Sequence, residues 1–145
     1  MSSLLDRAMM RFMTVHDTLY QRTNGWVGHR IPFAPRMLLL HSIGAKTGQL
    51  RTHSLAYYRD GEDYLIVASN GGAPRNPAWH HNLRTNPEVE INIGPRRLPV
   101  RAQVVLPDDP EYARLWKLCD DENSGRYGAY QKLTTRPIPV VRLTP

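Results

Sequence analysis

From residue 37 onward the chain keeps returning to short extended segments joined by tight turns, and this feature most constrains its fold. Met37 to His41 is an apolar run of strand length, and Thr52 to Arg59, carrying Tyr57 and Tyr58, is a second strand. Asp60-Gly61 turns tightly into Tyr64 to Ala68. Glu88 to Ile93 alternates polar and apolar residues strictly, as a half-buried strand does. Gly94-Pro95 then turns the chain into Leu98 to Leu106, and Ile138 to Leu143 supplies a last strand. A parallel sheet needs a crossover after nearly every strand. Only Pro77 to Thr85, Asp109 to Cys119 and a shorter Tyr127 to Leu133 read as helices in this region. The predicted class is α+β, with five or six mainly antiparallel strands closed or half-closed into a barrel.

The segment ahead of the sheet follows a different period. Ser3, with Asp6 three residues later, makes a box-like helix start. Leu5, Ala8, Met9, Phe12, Val15 and Leu19 then recur at helical spacing. Thr23-Asn24-Gly25 stops this helix, and Gly28, Pro32 and Pro35 make the next stretch a loop. The expected organisation is one domain over 1–145, with helix and loop over 1–35 and barrel over 36–145. Arg7 and Arg11 flank the Met/Phe face of the helix, so its two readings are a packing element and a peripheral membrane contact.

Composition narrows the partners. No apolar run nears the roughly 18 residues of a spanning helix, and Asp6, Arg7 and Arg11 break any signal-peptide pattern. The single cysteine, Cys119, permits no internal disulfide, fits a reducing cytoplasm, and reads as a small core residue on a helix. Nineteen basic against 13 acidic side chains give +6, which calls for an anionic partner: nucleic acid, an acidic membrane surface or a phosphorylated cofactor. Arg96, Arg97 and Arg101 share one hairpin but lack the interleaved aromatics of a nucleic-acid surface, so no nucleic-acid partner is expected.

The densest chemical signal is Gly44-Ala45-Lys46-Thr47-Gly48-Gln49-Leu50-Arg51-Thr52, a turn between two strands. Glycines let a backbone approach a ligand closely, and adjacent amides can form an anion-binding nest. Lys46 and Arg51 add two full charges, and Thr47 and Thr52 add hydroxyls, so a phosphate would be well held. The alternative is a plain hairpin turn with solvated charges. A Walker A loop is excluded, because no glycine immediately precedes the lysine and a strand rather than a helix comes next. A second signal runs from Ala68-Ser69-Asn70-Gly71-Gly72 to Trp79-His80-His81-Asn82-Leu83, a strand end feeding a helix through a glycine pair. Trp79 has two readings, covering a flat cofactor ring or packing in the core. His80 and His81 diverge by about 100° on a helix, and with His41 and His53 they make no recognised metal spacing, so no metal is expected.

Read together, these blocks resemble the deazaflavin-dependent nitroreductase family, whose members use coenzyme F420. The resemblance covers roughly residues 36 to 145. It rests on Gly44-Ala45-Lys46-Thr47-Gly48 with Arg51-Thr52, Val67 to Pro74, Asn76 to Leu83, Asn86-Pro87-Glu88-Val89, and the tail Tyr130-Gln131 through Arg136 to Val141. It implies a split β-barrel of the FMN-binding type, with the cofactor in a groove at the barrel's side. It also implies hydride transfer from the reduced deazaflavin to a small-molecule acceptor such as a quinone, enone or nitroaromatic. By the same resemblance, Lys46, Arg51 and the turn around them hold the cofactor's phosphate and acidic tail. Ala68, Ser69 and Asn70 border the ring, with Trp79 and Asn82 nearby. Many relatives carry a basic residue at Ala45 and a lysine at Asn70, so this site has fewer charges than the family pattern. Candidate proton donors are Tyr130, Ser69 and Tyr127, or bound water. The alternatives are an FMN-binding enzyme on the same barrel and a non-catalytic binding module.

Overall fold

The computed structural model describes residues 36–145. The expected N-terminal helix and its membrane-contact reading lie outside the described residues. The elements are β1 (Met37–Ile43), β2 (Leu50–Ala56), β3 (Tyr58–Asp60), β4 (Asp63–Val67), a 3-10 turn (Asn70–Gly72), α1 (Ala78–Thr85), β5 (Glu88–Ile93), β6 (Arg96–Val105), α2 (Tyr112–Glu122), α3 (Arg126–Gln131) and β7 (Val140–Thr144). The described strands form one seven-stranded sheet in the order β2-β1-β5-β6-β7-β4-β3, and every neighbouring pair is antiparallel.

That order curls the sheet. β2 and β3 sit at its two ends, yet only Tyr57 separates Ala56 from Tyr58 in the chain. A flat sheet of seven strands would hold those ends more than 25 Å apart at roughly 4.8 Å per strand. The two steps from Ala56 through Tyr57 to Tyr58 span at most about 7 Å, so the sheet must roll until its edges approach. The result is the predicted antiparallel half-barrel.

The expected single strand from Thr52 to Arg59 is therefore corrected to two. The break falls at Tyr57, whose N–H donates to the Arg36 carbonyl at 3.0 Å as the last rung in the β1–β2 register, before Tyr58 pairs with Leu65 of β4. The adjacent tyrosines enter different cores. Tyr57 joins Leu38, Leu40, Tyr64, Ile66, Ile91, Val100 and Val141 inside the barrel, with Trp79 and Leu83 of α1. Tyr58 joins Leu65, Val67, Val105, Leu115, Cys119, Tyr127 and Val140 in a second core, between the sheet and α2 and α3. β4 and β7 alternate between the two: Tyr64, Ile66, Val141 and Leu143 belong to the first, Leu65, Val67 and Val140 to the second. Cys119 is fully buried in the second core, as its helix position predicts, and burial pushes its thiol up to about 12.

Other boundaries shift for local reasons. Ile138 precedes β7 because side chains take its backbone groups: its N–H donates to Gln131 Oε1 at 3.0 Å and its carbonyl accepts from Tyr112 Oη at 2.6 Å. The basic β5–β6 hairpin is largely neutralised, since Arg97 pairs with Glu90 and Arg101 with Glu88 across the strands.

Candidate functional site

The turn between β1 and β2 is closed by its own backbone and tied to α1 by one side chain. Gly44 N–H donates to the Gln49 carbonyl at 2.7 Å, and Gly48 N–H to the Gly44 carbonyl at 2.9 Å. A Cβ at Gly44 would lie 2.6 Å from Thr47 Oγ1 and 3.3 Å from the Gln49 carbonyl, so a larger residue there would displace the Thr47 hydroxyl and crowd the turn. Asn82 of α1, itself buried, accepts the Ala45 N–H on Oδ1 at 3.0 Å and donates from Nδ2 to Ser42 Oγ at 3.3 Å. This bridge sets the turn's height over the helix. The N–H groups of Lys46 and Thr47 have no hydrogen-bond partner among the described residues, so they remain available to an anion.

Between the turn, β2 and α1 lies a groove of about 610 Å³, lined by Gly44, Ala45, Lys46, Thr47, Arg51, His53, Ala78, His81 and Asn82. Ala78 and His81 also line an adjoining cleft of about 580 Å³, with Pro74, Arg75, Asn76 and Arg136. No carboxylate lines either one. Lys46, Arg51, Arg75 and Arg136 have no carboxylate partner among the described residues, whereas Arg97, Arg101, Arg114, Lys117 and Arg142 each have one. Groove and cleft together thus carry four cationic side chains with no acid among their lining residues to offset them. A long polyanion fits there, and the amides and fixed cations are donors suited to phosphate.

The geometry sorts the residues expected from sequence. Gly44, Ala45, Lys46, Thr47, Arg51 and Asn82 meet at the groove. Gly48 serves the turn itself, at φ +70°. Thr52 points to the other face of β2, where its Oγ1 lies 3.1 Å from Nδ1 of His41, so it does not line the groove beside Arg51. Ala68, Ser69 and Asn70 form the strand end and turn above the second cleft. The carbonyls of Ala68 and Ser69 accept hydrogen bonds from Arg136 at 3.2 and 2.8 Å, and Asn70 Nδ2 donates to the Arg75 carbonyl at 3.0 Å. Two of the candidates stand away from the groove. Trp79 is 5 % exposed in the barrel core, on the α1 face opposite the groove, and so does not present a ring-covering face there. Tyr127 is buried in the second core with its hydroxyl 2.8 Å from that of Tyr58, and burial pushes its pKa well up; it does not reach the groove. Tyr130 is half-buried on α3, packed against the same core.

Sequence reasoning missed three lining residues, His53, Ala78 and His81, whose signals were present. His53 is two residues after Arg51 on a strand and so shares its face. Ala78, His81 and Asn82 stand at i, i+3 and i+4 on α1, one face of a helix, while Trp79 and Leu83 at i, i+4 take the core face. His41 is held between Thr52 and Asn92 Oδ1, the latter at 2.6 Å. Among the described residues no three His, Cys, Asp or Glu side chains converge to hold a metal, and no helix is long and apolar enough to cross a membrane.

A barrel rolled from one antiparallel sheet, with a cationic groove on its flank, defines a split-barrel protein built to hold an anionic cofactor. A pyridoxamine 5'-phosphate oxidase-related FMN binding protein of Nostoc punctiforme shares the fold, with a TM-score of 0.54 at 14% identity over 88% of this chain and 76% of that one. A solved F420-H2 dependent reductase (FDR-A) is more similar: TM-score 0.66 and 33% identity, covering 74% of this chain and 92% of its own. An F420H(2)-dependent quinone reductase of Mycobacterium tuberculosis is 58% identical over 135 residues, 93% of this chain and 91% of that protein. The sequence model of the F420H(2)-dependent quinone reductase family matches residues 12–145. The chain belongs to that family.

Proposed function

We propose that this protein is an oxidoreductase that binds reduced coenzyme F420 along the groove and reduces an electron-poor small molecule, a quinone foremost, with enones and nitroaromatics in the same class. The observation that carries the reading is the acid-free groove in which unpaired Lys46 and Arg51 face free backbone amides. Bound there, the reduced deazaflavin supplies the hydride. The chain's own residues bind, orient and manage the proton. Lys46, Arg51 and the amides of Lys46 and Thr47 hold phosphate and acidic tail. Gly44 keeps the turn tight, and Asn82 keeps it at a fixed height. Ala68, Ser69 and Asn70 border the ring.

Reducing a carbonyl acceptor leaves an oxyanion, which a positioned acid stabilises as it forms. Ser69 and Tyr130 are the candidate donors, with solvent water as the alternative. α3, which carries Tyr130, packs on the 3-10 turn: a Cβ on Gly72 would lie 2.7 Å from the Tyr130 carbonyl. Both donors are therefore mechanically tied to the loop that borders the ring.

Fluorescence titration of the purified full chain with coenzyme F420 and with FMN tests the reading. Micromolar or tighter binding of the deazaflavin, with much weaker FMN binding, is expected. Equal affinity for the two, or none for either, overturns it.

A further inference from the structure

We propose that Arg136 is the positioning residue of this site: its guanidinium holds the 68–76 loop in the shape that a ligand in the groove meets. The inference rests on the groove reading above. Asn70, Gly71 and Gly72 lie at φ +46°, +63° and +81°, three successive residues in the left-handed region. Glycine takes up that region at no steric cost and Asn70 at a modest one, so the same residues have other conformations open to them unless the loop is restrained. Two short-range bonds support it from within, Gly72 N–H to the Ser69 carbonyl at 2.9 Å and Ala73 N–H to the Asn70 carbonyl at 3.1 Å.

Asn70 Nδ2 adds a third local bond, to the Arg75 carbonyl at 3.0 Å, and a further restraint comes from the C-terminal tail. Arg136 Nε donates to the Ala73 carbonyl at 2.9 Å. Nη1 donates to the Ala68 carbonyl at 3.2 Å and to Asn76 Oδ1 at 2.8 Å, and Nη2 to the Ser69 carbonyl at 2.8 Å. Four of the five N–H groups of the guanidinium are thus used on acceptors that bracket the left-handed turn on both sides. A planar fork can reach all four at once, whereas a lysine ammonium is a single point with three donors. Arg136 is itself held in place. Gln131 Nε2 donates to its carbonyl at 2.8 Å while Gln131 Oε1 accepts the Ile138 N–H at 3.0 Å. No carboxylate neutralises Arg136 among the described residues, so its charge also adds to the potential of the cleft it lines. The loop that would border a cofactor is set by a residue some sixty positions away in sequence.

The test compares the full-length wild type with Arg136→Ala and Arg136→Lys. Amide hydrogen exchange at Gly72 and Ala73 is measured without cofactor, and coenzyme F420 affinity by fluorescence, each with and without millimolar guanidinium. Arg136→Ala should exchange those two amides at least about tenfold faster and bind the deazaflavin about tenfold more weakly or worse, and guanidinium should restore both. Arg136→Lys keeps the charge and should show the same two losses without rescue. If Arg136→Ala does not fold, the lysine variant carries the comparison. Weaker binding with unchanged exchange would mean that Arg136 contacts the ligand directly, and the proposal falls. Unchanged exchange and unchanged affinity in a folded variant also overturn it. If the wild type binds no deazaflavin while exchange responds as expected, the cofactor reading fails and the clamp stands.

Discussion

Replacing His80 with leucine measures how strongly the helix beneath the groove resists protonation. His80 is 3 % exposed, and neither ring nitrogen has a hydrogen-bond partner among the described residues. Burial is the main cause that lowers its pKa from 6.5 to about 4, and the positive charges of His81, Arg84 and Arg136 add to it. The unfolded chain takes up a proton near pH 6.5, whereas the folded protein resists until about 4. The native pKa of a base is depressed, so folding loses stability as pH falls through this window and levels off below it. By linkage the loss is about 0.2 kcal/mol at pH 7 and about 2.5 kcal/mol at pH 4.5. Leucine removes the titration while keeping an apolar side chain of similar size. Urea unfolding of both proteins at neutral pH and near pH 4.5 isolates the effect, because other titrating groups are common to the pair. The wild type should lose about 2 kcal/mol more than His80→Leu on acidification. Equal losses would refute the reasoning, meaning that the ring finds a partner or water once charged.

Three further outcomes are expected. Lys46→Ala and Arg51→Ala should each weaken deazaflavin binding by about tenfold or more while leaving thermal stability unchanged, with the deficit shrinking at high salt; normal binding by both would remove them from the site. Tyr130→Phe or Ser69→Ala, whichever removes the proton donor, should slow single-turnover oxidation of bound reduced cofactor by roughly 10²–10⁴ with cofactor affinity kept, whereas unchanged rates in both would assign the proton to water. Gly72→Ala should cost more than about 2 kcal/mol in denaturant unfolding, because the new Cβ meets the Tyr130 carbonyl at 2.7 Å as well as a left-handed φ. Gly71→Ala, with open space around it, should cost only about 1 kcal/mol; equal costs would mean that α3 shifts freely away from the turn.

Period and turn chemistry alone determined the strands from Glu88 to Ile93 and from Met37 onward, the helix after Pro77 and the antiparallel class. These depend on neighbours a few residues apart. The basic turn around Lys46 and Arg51 was legible for the same reason, since glycines, charges and spacing all lie within one short segment. Folding decided what local pattern leaves symmetric. Tyr57 and Tyr58 read as one strand because nothing local marks the break; only the rolled sheet, with its two ends one residue apart, forces it. Trp79 and His81 both sit on α1, and which face meets the groove depends on how the helix rests on the barrel. Tyr127 and Tyr130 looked alike as donors until the second core claimed the Tyr127 hydroxyl through Tyr58. Arg136 carried no signal in its own segment beyond a resemblance, because its four acceptors lie sixty or more residues upstream. Hydrogen bonds at that separation are set by sheet order, with β7 beside β4, and no periodicity in the sequence encodes it.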